Sequence, residues 1–131
     1  MKKDVLFICK SNVNRSQYAE GFYNKLINKN KAISAGVRVP AEKPSKKGAT
    51  IMLEEGVDIS KQKVKLLKRS MLKNVKKVVV ICRKQFLPKY VLKFENIEFW
   101  NIRDPHFSSM KERRKIRDKI KKKILKLNPK S

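Results

Sequence analysis

The chain predicts an α/β domain built on a parallel sheet, and three features of the sequence point there. Residues 5–9 and 78–82 are short, unbroken apolar runs rich in Val and Ile, the pattern of strands buried on both faces. Helical periodicity fills much of the stretch between them, and strands alternating with helices imply parallel pairing. At 131 residues the chain matches the size of one hydrophobic core.

The elements follow in order. The first strand, residues 5–9, ends on Cys9. Asn14, Arg15 or Ser16 opens a helix in which Tyr18, Ala19, Phe22, Leu26 and Ile27 return at helical spacing and mark the face that packs on the sheet. Residues 32–35 read as a second strand stopped by Gly36. Pro44 and Ser45 precede a second helix with Ala49, Met52 and Leu53 along one side, and Gly56 ends it. A third helix is expected over residues 64–72, a third strand over 78–82, and then a short helical stretch limited by Pro88. Residues 97–102 supply a fourth strand. The last helix carries Ile116, Ile120, Ile124 and Leu127 on one stripe, the pattern that closes one side of a small sheet, while its other faces are almost wholly basic. The domain is expected to span residues 1–127, with 128–131 as a short tail.

Composition narrows the function. Lys and Arg number 35 against 11 Asp and Glu, a formal net charge of +24, yet 40% of the residues are apolar, enough for a core and too many for a disordered polycation. The basic residues are spread along the whole chain, which reads as a solvated surface able to attract anions rather than a dedicated nucleic-acid site. No apolar run reaches the roughly 18 residues of a membrane span, and the start MKKDVLFICK lacks a signal-peptide pattern, so a cytoplasmic protein is expected. Cys9 and Cys82 are too few for a disulfide framework or a cysteine-built zinc site, and both are expected as thiols at rest.

The chemistry concentrates in VLFICKSNVNRSQYAEGF, residues 5–22, where a strand runs through a short loop into a helix. Cys9 begins the loop and Arg15 closes it. The amides of Lys10, Ser11, Asn12, Val13 and Asn14 can converge on one point, at which the positive end of the helix dipole is also aimed. The result is an anion cradle with a thiol at its base. A field that holds a phosphate dianion also favours thiolate over thiol, which makes Cys9 a nucleophile. Arg15 offers a planar fork to two equatorial phosphate oxygens, and Ser16 can donate its hydroxyl hydrogen to the departing sulfur.

The segment CKSNVNRS, residues 9–16, resembles the nucleophile loop of the low-molecular-weight protein tyrosine phosphatase family, whose loop lies near the N-terminus. Other cysteine phosphatases set a His before the Cys, and here that residue is Ile8. Ala-Glu-Gly at 19–21, Ser-Ala-Gly at 34–36, GVDIS at 56–60 and Asp-Pro at 104–105 follow in the family's order, so the resemblance covers nearly the full length. It implies a single three-layer domain with a four-stranded parallel sheet flanked by helices, and an active site at the C-terminal strand ends.

The resemblance assigns the nucleophile to Cys9, the phosphate-binding arginine to Arg15, the thiolate-assisting hydroxyl to Ser16 and the general acid to Asp104, followed by Pro105. Read on residues alone, Asp before Pro is also a common turn pair. Asn12 matches the asparagine that takes a left-handed backbone and ties the loop together, through Ser34. No cofactor and no metal are implied; the partners would be a phosphorylated protein or small phosphomonoester, with oxyanions as inhibitors of a monomer.

The chain also departs from the family pattern. Ser11 stands where Gly is usual and crowds the cradle. Residues 37–40 hold no aromatic side chain, where many members place one. His106 and Phe107 occupy positions where tyrosine-directed members often carry aromatics, His106 being expected at the cleft rim and Phe107 as a wall of it.

Arsenate reductases share the fold, attack arsenate with the equivalent thiolate and resolve the adduct through further cysteines. Cys82, expected on a strand about 4.8 Å from the first, is either a core thiol or a redox partner for Cys9. Residues 83–95 hold no further cysteine, where thioredoxin-linked reductases usually need one. The expected activity is thus phosphomonoester hydrolysis through a cysteinyl-phosphate, and the alternative is arsenate reduction by Cys9 with Cys82 or an external thiol.

Overall fold

A computed structural model describes residues 2–127 of the chain. The expected tail at 128–131 lies outside the described residues. Four strands, β1 (Lys3–Cys9), β2 (Ala32–Gly36), β3 (Val75–Val80) and β4 (Ile97–Phe99), pair in the order β2-β1-β3-β4, all in parallel. The central strand β1 is covered on both sides, with Leu6, Phe7 and Ile8 wholly inaccessible to solvent. Each such side chain contributes roughly 1.5–3 kcal/mol relative to an exposed one.

Alternation along the strands divides the core in two. Val5, Phe7 and Cys9 share one face with Val79 and Ile81, under α1 (Arg15–Leu26), α2 (Lys46–Leu53) and α4 (Met110–Leu125). Leu6, Ile8, Val78 and Val80 share the other, under Leu67, Leu87 and Val91. That second layer is thin: two 3₁₀ turns, Arg69–Asn74 and Lys84–Phe86, and the four-residue α3 (Lys89–Leu92), which begins after Pro88.

Local chemistry sets the helix ends. Ser45 caps α2 by accepting a hydrogen bond from the Gly48 amide, and Ser109 caps α4 by accepting one from the Glu112 amide. After α2 the chain turns at Gly56, whose φ of +75° suits glycine. On α4, Ile116, Ile120 and Ile124 are buried as their spacing predicts. Two residues of its basic faces are buried as well: Arg117 donates to the Ile51 carbonyl and to Glu54, and Arg113 reaches towards the loop between β1 and α1. Leu26 and Leu53, expected on packed faces, are the last residues of their helices and face solvent.

The expected third helix at 64–72 does not form. Gly36 lies on β2, an edge strand with spare backbone groups, and the chain after residue 64 runs alongside it. The Gly36 amide donates to the Lys65 carbonyl, the Leu67 amide donates to the Gly36 carbonyl, and Leu66 bridges Gly36 in parallel. Satisfying a sheet edge outweighs weak helical periodicity there. The third strand also starts earlier than expected and ends at Val80, so that Ile81 and Cys82 leave the ladder. Likewise β4 stops at Phe99, although the Trp100 amide still donates to the Val80 carbonyl. No helix among the described residues is long and apolar enough to cross a membrane.

Candidate active site

The sheet order reverses around β1, and open parallel sheets form their binding crevice beyond the strand ends at such a point. Cys9 is the last residue of β1 and Arg15 the first of α1, so the loop between them sits in that crevice. The Cys9 sulfur lies 2.8 Å from Ser16 Oγ and accepts from the Asn12 amide at 3.2 Å. Asn12 has a φ of +56°, the left-handed conformation that turns its amide back onto the sulfur.

The Asn12 side chain fixes the loop. Its Oδ1 accepts from the Lys65 amide at 2.9 Å, an unambiguous donor that sets the orientation of the carboxamide, and from Gln17 Nε2 at 2.9 Å. Nδ2 therefore donates to Ser16 Oγ at 2.7 Å. With its oxygen accepting from Asn12, the Ser16 hydroxyl is free to direct its hydrogen at Cys9. Ser34 does not make the expected link: its hydroxyl donates to Glu20 at 2.7 Å, and Lys65 Nζ lies 3.3 Å from the same carboxylate oxygen. Gln17 and Lys65 do the tying because the strand-like path of residues 65–67 carries a backbone donor to the loop.

Gly36 closes the loop from the other side. A Cβ there would come within 2.9 Å of Arg38 O, Ser11 C and Asn12 Cβ, while the backbone of Val37 and Arg38 donates to the Cys9 and Lys10 carbonyls. Arg38 Nε also donates to Ser11 Oγ at 3.1 Å, so the serine in place of a glycine gains a partner.

Arg15 is nearly buried and rigidly aimed. Its Nη1 donates to the carbonyls of Ile81 at 2.6 Å and Ile102 at 3.0 Å, just past the ends of β3 and β4, and Nη2 stands 3.7 Å from Asp104 Oδ2. Asp104 remains half-exposed, and its Oδ1 accepts from the His106 amide at 3.0 Å, so it closes a turn and faces Arg15 at once. Pro105 continues that turn, accepting from the Ser108 amide at 2.8 Å. A cleft of about 340 Å³ opens between Cys9, Lys10, Ser11, Val13, Asn14, Arg15, Arg38, Pro40, Asp104 and His106. His106 takes the expected rim position. Phe107 does not wall the cleft: at a φ of +67° the turn throws it outward, 95% exposed, with its ring against His106.

The second cysteine lies just past the end of β3, on the lining of a larger concavity that also reaches Arg15. Cys82 packs against the apolar cluster of Leu6 and Ile8, on the opposite side of the sheet from the cluster holding Cys9, and both thiols are free. Burial, reinforced by the nearby Cys9 and only partly offset by Arg15, pushes the Cys82 thiol up to about 11.

A cysteine at a strand end, a five-residue turn with one left-handed asparagine, and an arginine clamped by carbonyls of two neighbouring strands form one unit. The family model described as low molecular weight phosphotyrosine protein phosphatase matches residues 4–130. The chain belongs to that family. Members with two kinds of name resemble it. An arsenate reductase of Staphylococcus aureus (strain Newman) is 33% identical over 126 residues, covering 92% of each chain. An arsenate reductase solved in its phosphate-binding state superposes with a TM-score of 0.81 at 30% identity, covering 95% of both chains. The low molecular weight protein tyrosine phosphatase of T. tengcongensis superposes at 0.79 with 26% identity, over 94% of this chain and 95% of that one.

Four residues that hold the family loop here escape a reading by sequence. Gln17 is wholly buried between Asn12 and the Lys63 carbonyl, and Lys65 reaches the site from a segment with the pattern of a helix. Arg38 lines the cleft. Arg113, among 35 basic residues, is singled out only by burial; it donates to the Ser108 carbonyl, and its Nη1 lies 3.4 Å from Asn14 Oδ1, joining α4, the turn at Asp104–Ser108 and the loop. Asn14 is held by Tyr18, whose hydroxyl donates to its Oδ1 at 2.9 Å, rather than serving as a side-chain cap.

Proposed function

We propose that the protein is a phosphomonoesterase that works through a cysteinyl-phosphate intermediate. The Cys9 thiolate attacks phosphorus while the loop amides and the Nε and Nη2 hydrogens of Arg15 hold the equatorial oxygens. As the P–O bond breaks, Asp104 gives its proton to the leaving oxygen. The resulting carboxylate then takes a proton from water, whose oxygen attacks phosphorus, and the Cys9 sulfur leaves as a thiolate stabilised by the Ser16 hydroxyl and the Asn12 amide. Phosphate is released and the carboxyl is protonated again.

The observation that carries this reading is the Asp104 carboxylate, half-exposed and 3.7 Å from Arg15, on the wall of the cleft that also contains Cys9. It supports proton transfer at the place where the leaving group must depart. The second reading, arsenate reduction, is favoured by the names of the similar Staphylococcus proteins. Against resolution by Cys82 stand its packing in the other core cluster from Cys9 and its raised pKa, whereas resolution by an external thiol would not need it. Parallel turnover of p-nitrophenyl phosphate, a phosphotyrosine peptide, and arsenate with a thiol reductant tests the choice. Hydrolysis without arsenate reduction is expected; arsenate reduction without hydrolysis would overturn the proposal.

A further inference from the structure

We infer that a basic trough beside the catalytic cleft is a subsite for acidic side chains flanking the phosphorylated residue of a protein, an assignment that rests on the phosphomonoesterase reading and names its substrate class. The trough has a volume of about 980 Å³, well beyond a phosphate group, and it adjoins the smaller cleft at Lys10, Arg15 and Asp104. A substrate with its phosphate over Cys9 therefore has this space beside it.

The charges of the trough are unbalanced. Lys10, Arg83, Lys84 and Lys119 line it, and none of them has a carboxylate partner among the described residues. The acidic residue on its wall, Asp104, is turned to Arg15. Basic residues outside the trough are often matched: Arg114 and Arg117 with Glu54, Lys121 with Glu55, Lys77 with Glu98. Surplus cations in a concavity reinforce one another's field and draw anions more strongly than the same charges on a convex surface.

Aromatic surface alternates with these cations. Lys10 Nζ lies 4.8 Å from the centre of the Phe86 ring, and Lys84 Nζ lies 4.7 Å from that of Phe99, both rings more than a third exposed. An ammonium held over a ring is positioned while its remaining hydrogens stay free for an acceptor. Separated cations with apolar rings between them match an extended peptide, whose Asp and Glu carboxylates meet the former and whose methylenes cover the latter. A compact bisphosphate would leave the rings in water.

The test is binding to the Cys9→Ser protein, which does not depend on turnover. Three phosphotyrosine peptides are compared, with acidic, neutral or basic flanks. The acidic peptide is expected to bind at least about tenfold more tightly than the neutral one, with the preference shrinking as salt rises. Replacing Arg83, Lys84 and Lys119 by Gln should bring that ratio below about threefold. Because the ratio compares two ligands on one protein, a loss of folded fraction cancels. A matched variant, Lys25→Gln with Lys29→Gln and Lys73→Gln, removes the same charge from exposed positions elsewhere on the chain. Equal binding of all three peptides overturns the subsite, as does an equal fall in the matched variant, which would trace the preference to net charge. A sugar bisphosphate that binds while the peptides do not discriminate overturns it in favour of a small ligand. A preference that persists in binding while the wild-type protein hydrolyses no peptide supports the subsite and counts against the phosphomonoesterase reading.

Discussion

The Cys9 sulfur receives the Asn12 amide and stands within hydrogen-bond reach of Ser16, and both groups are oriented by bonds they make elsewhere. Such pre-set donors need not reorganise as charge moves onto and off the sulfur, which is where an electrostatic contribution to rate is largest. Asp104→Ala should lower kcat/KM for a phosphate ester with a poor leaving group by roughly 100-fold and for p-nitrophenyl phosphate by much less, since general acid catalysis is worth about 10²–10⁴ only where the leaving oxygen needs a proton. Equal losses on both substrates would remove Asp104 from the role of acid. Cys82, held up at about 11 chiefly by burial, stays protonated at neutral pH. Its alkylation by iodoacetamide in the Cys9→Ser protein should rise about tenfold per pH unit from pH 7 to 10, because only the thiolate reacts. A rise that flattens between about pH 9 and 10 would show an ordinary thiol.

Among the elements, α4 joins the most distant parts of the site and the core. Ile120 is fully buried within its stripe, and Ile120→Ala should cost about 2–5 kcal/mol in urea unfolding, combining lost transfer free energy with the cavity left behind. The helix is also pinned to α2 by Glu54, whose carboxyl is drawn down to about 2 by hydrogen bonds from Arg114 and then Arg117. A lowered carboxyl stabilises the folded state above its unfolded value near 4.5, and that contribution fades as pH falls towards 2. The gap in urea midpoint between the wild-type protein and Glu54→Gln should thus be constant from pH 7 to about 5 and close between about 4.5 and 2. A gap that stays constant to pH 2 would mean the ion pair contributes nothing. The path of the segment at 64–72 is settled by the backbone groups of Gly36, which no local pattern in residues 64–72 contains.

Across the whole molecule, a net charge of +24 on a small domain creates a field that gathers dianions before any specific contact. Raising NaCl from about 0.05 M to about 0.5 M should lower kcat/KM for p-nitrophenyl phosphate several-fold, largely through association, while kcat at saturation changes little. A salt-independent kcat/KM would show that the field plays no part. The site is built at the same scale. Arg15 is aimed by carbonyls of Ile81 and Ile102, residues far along the chain that become neighbours only when β3 and β4 join the sheet.

What the sequence determined by itself was the set of groups joined by short stretches of chain: the β1-loop-α1 unit with Cys9, Asn12, Arg15 and Ser16, the strand segments, and the stripe on α4. Spacing within a few residues fixes these, because a strand end and a helix start leave little freedom to the loop between them. The tertiary structure alone decided which partners complete the unit. Lys65 rather than Ser34 holds Asn12, Arg113 is buried among dozens of solvated cations, Phe107 turns out to solvent, and Cys82 points to the other side of the sheet from Cys9. Each of these depends on which backbone donors and which strand face are brought together across long separations, and residue type carries no record of that.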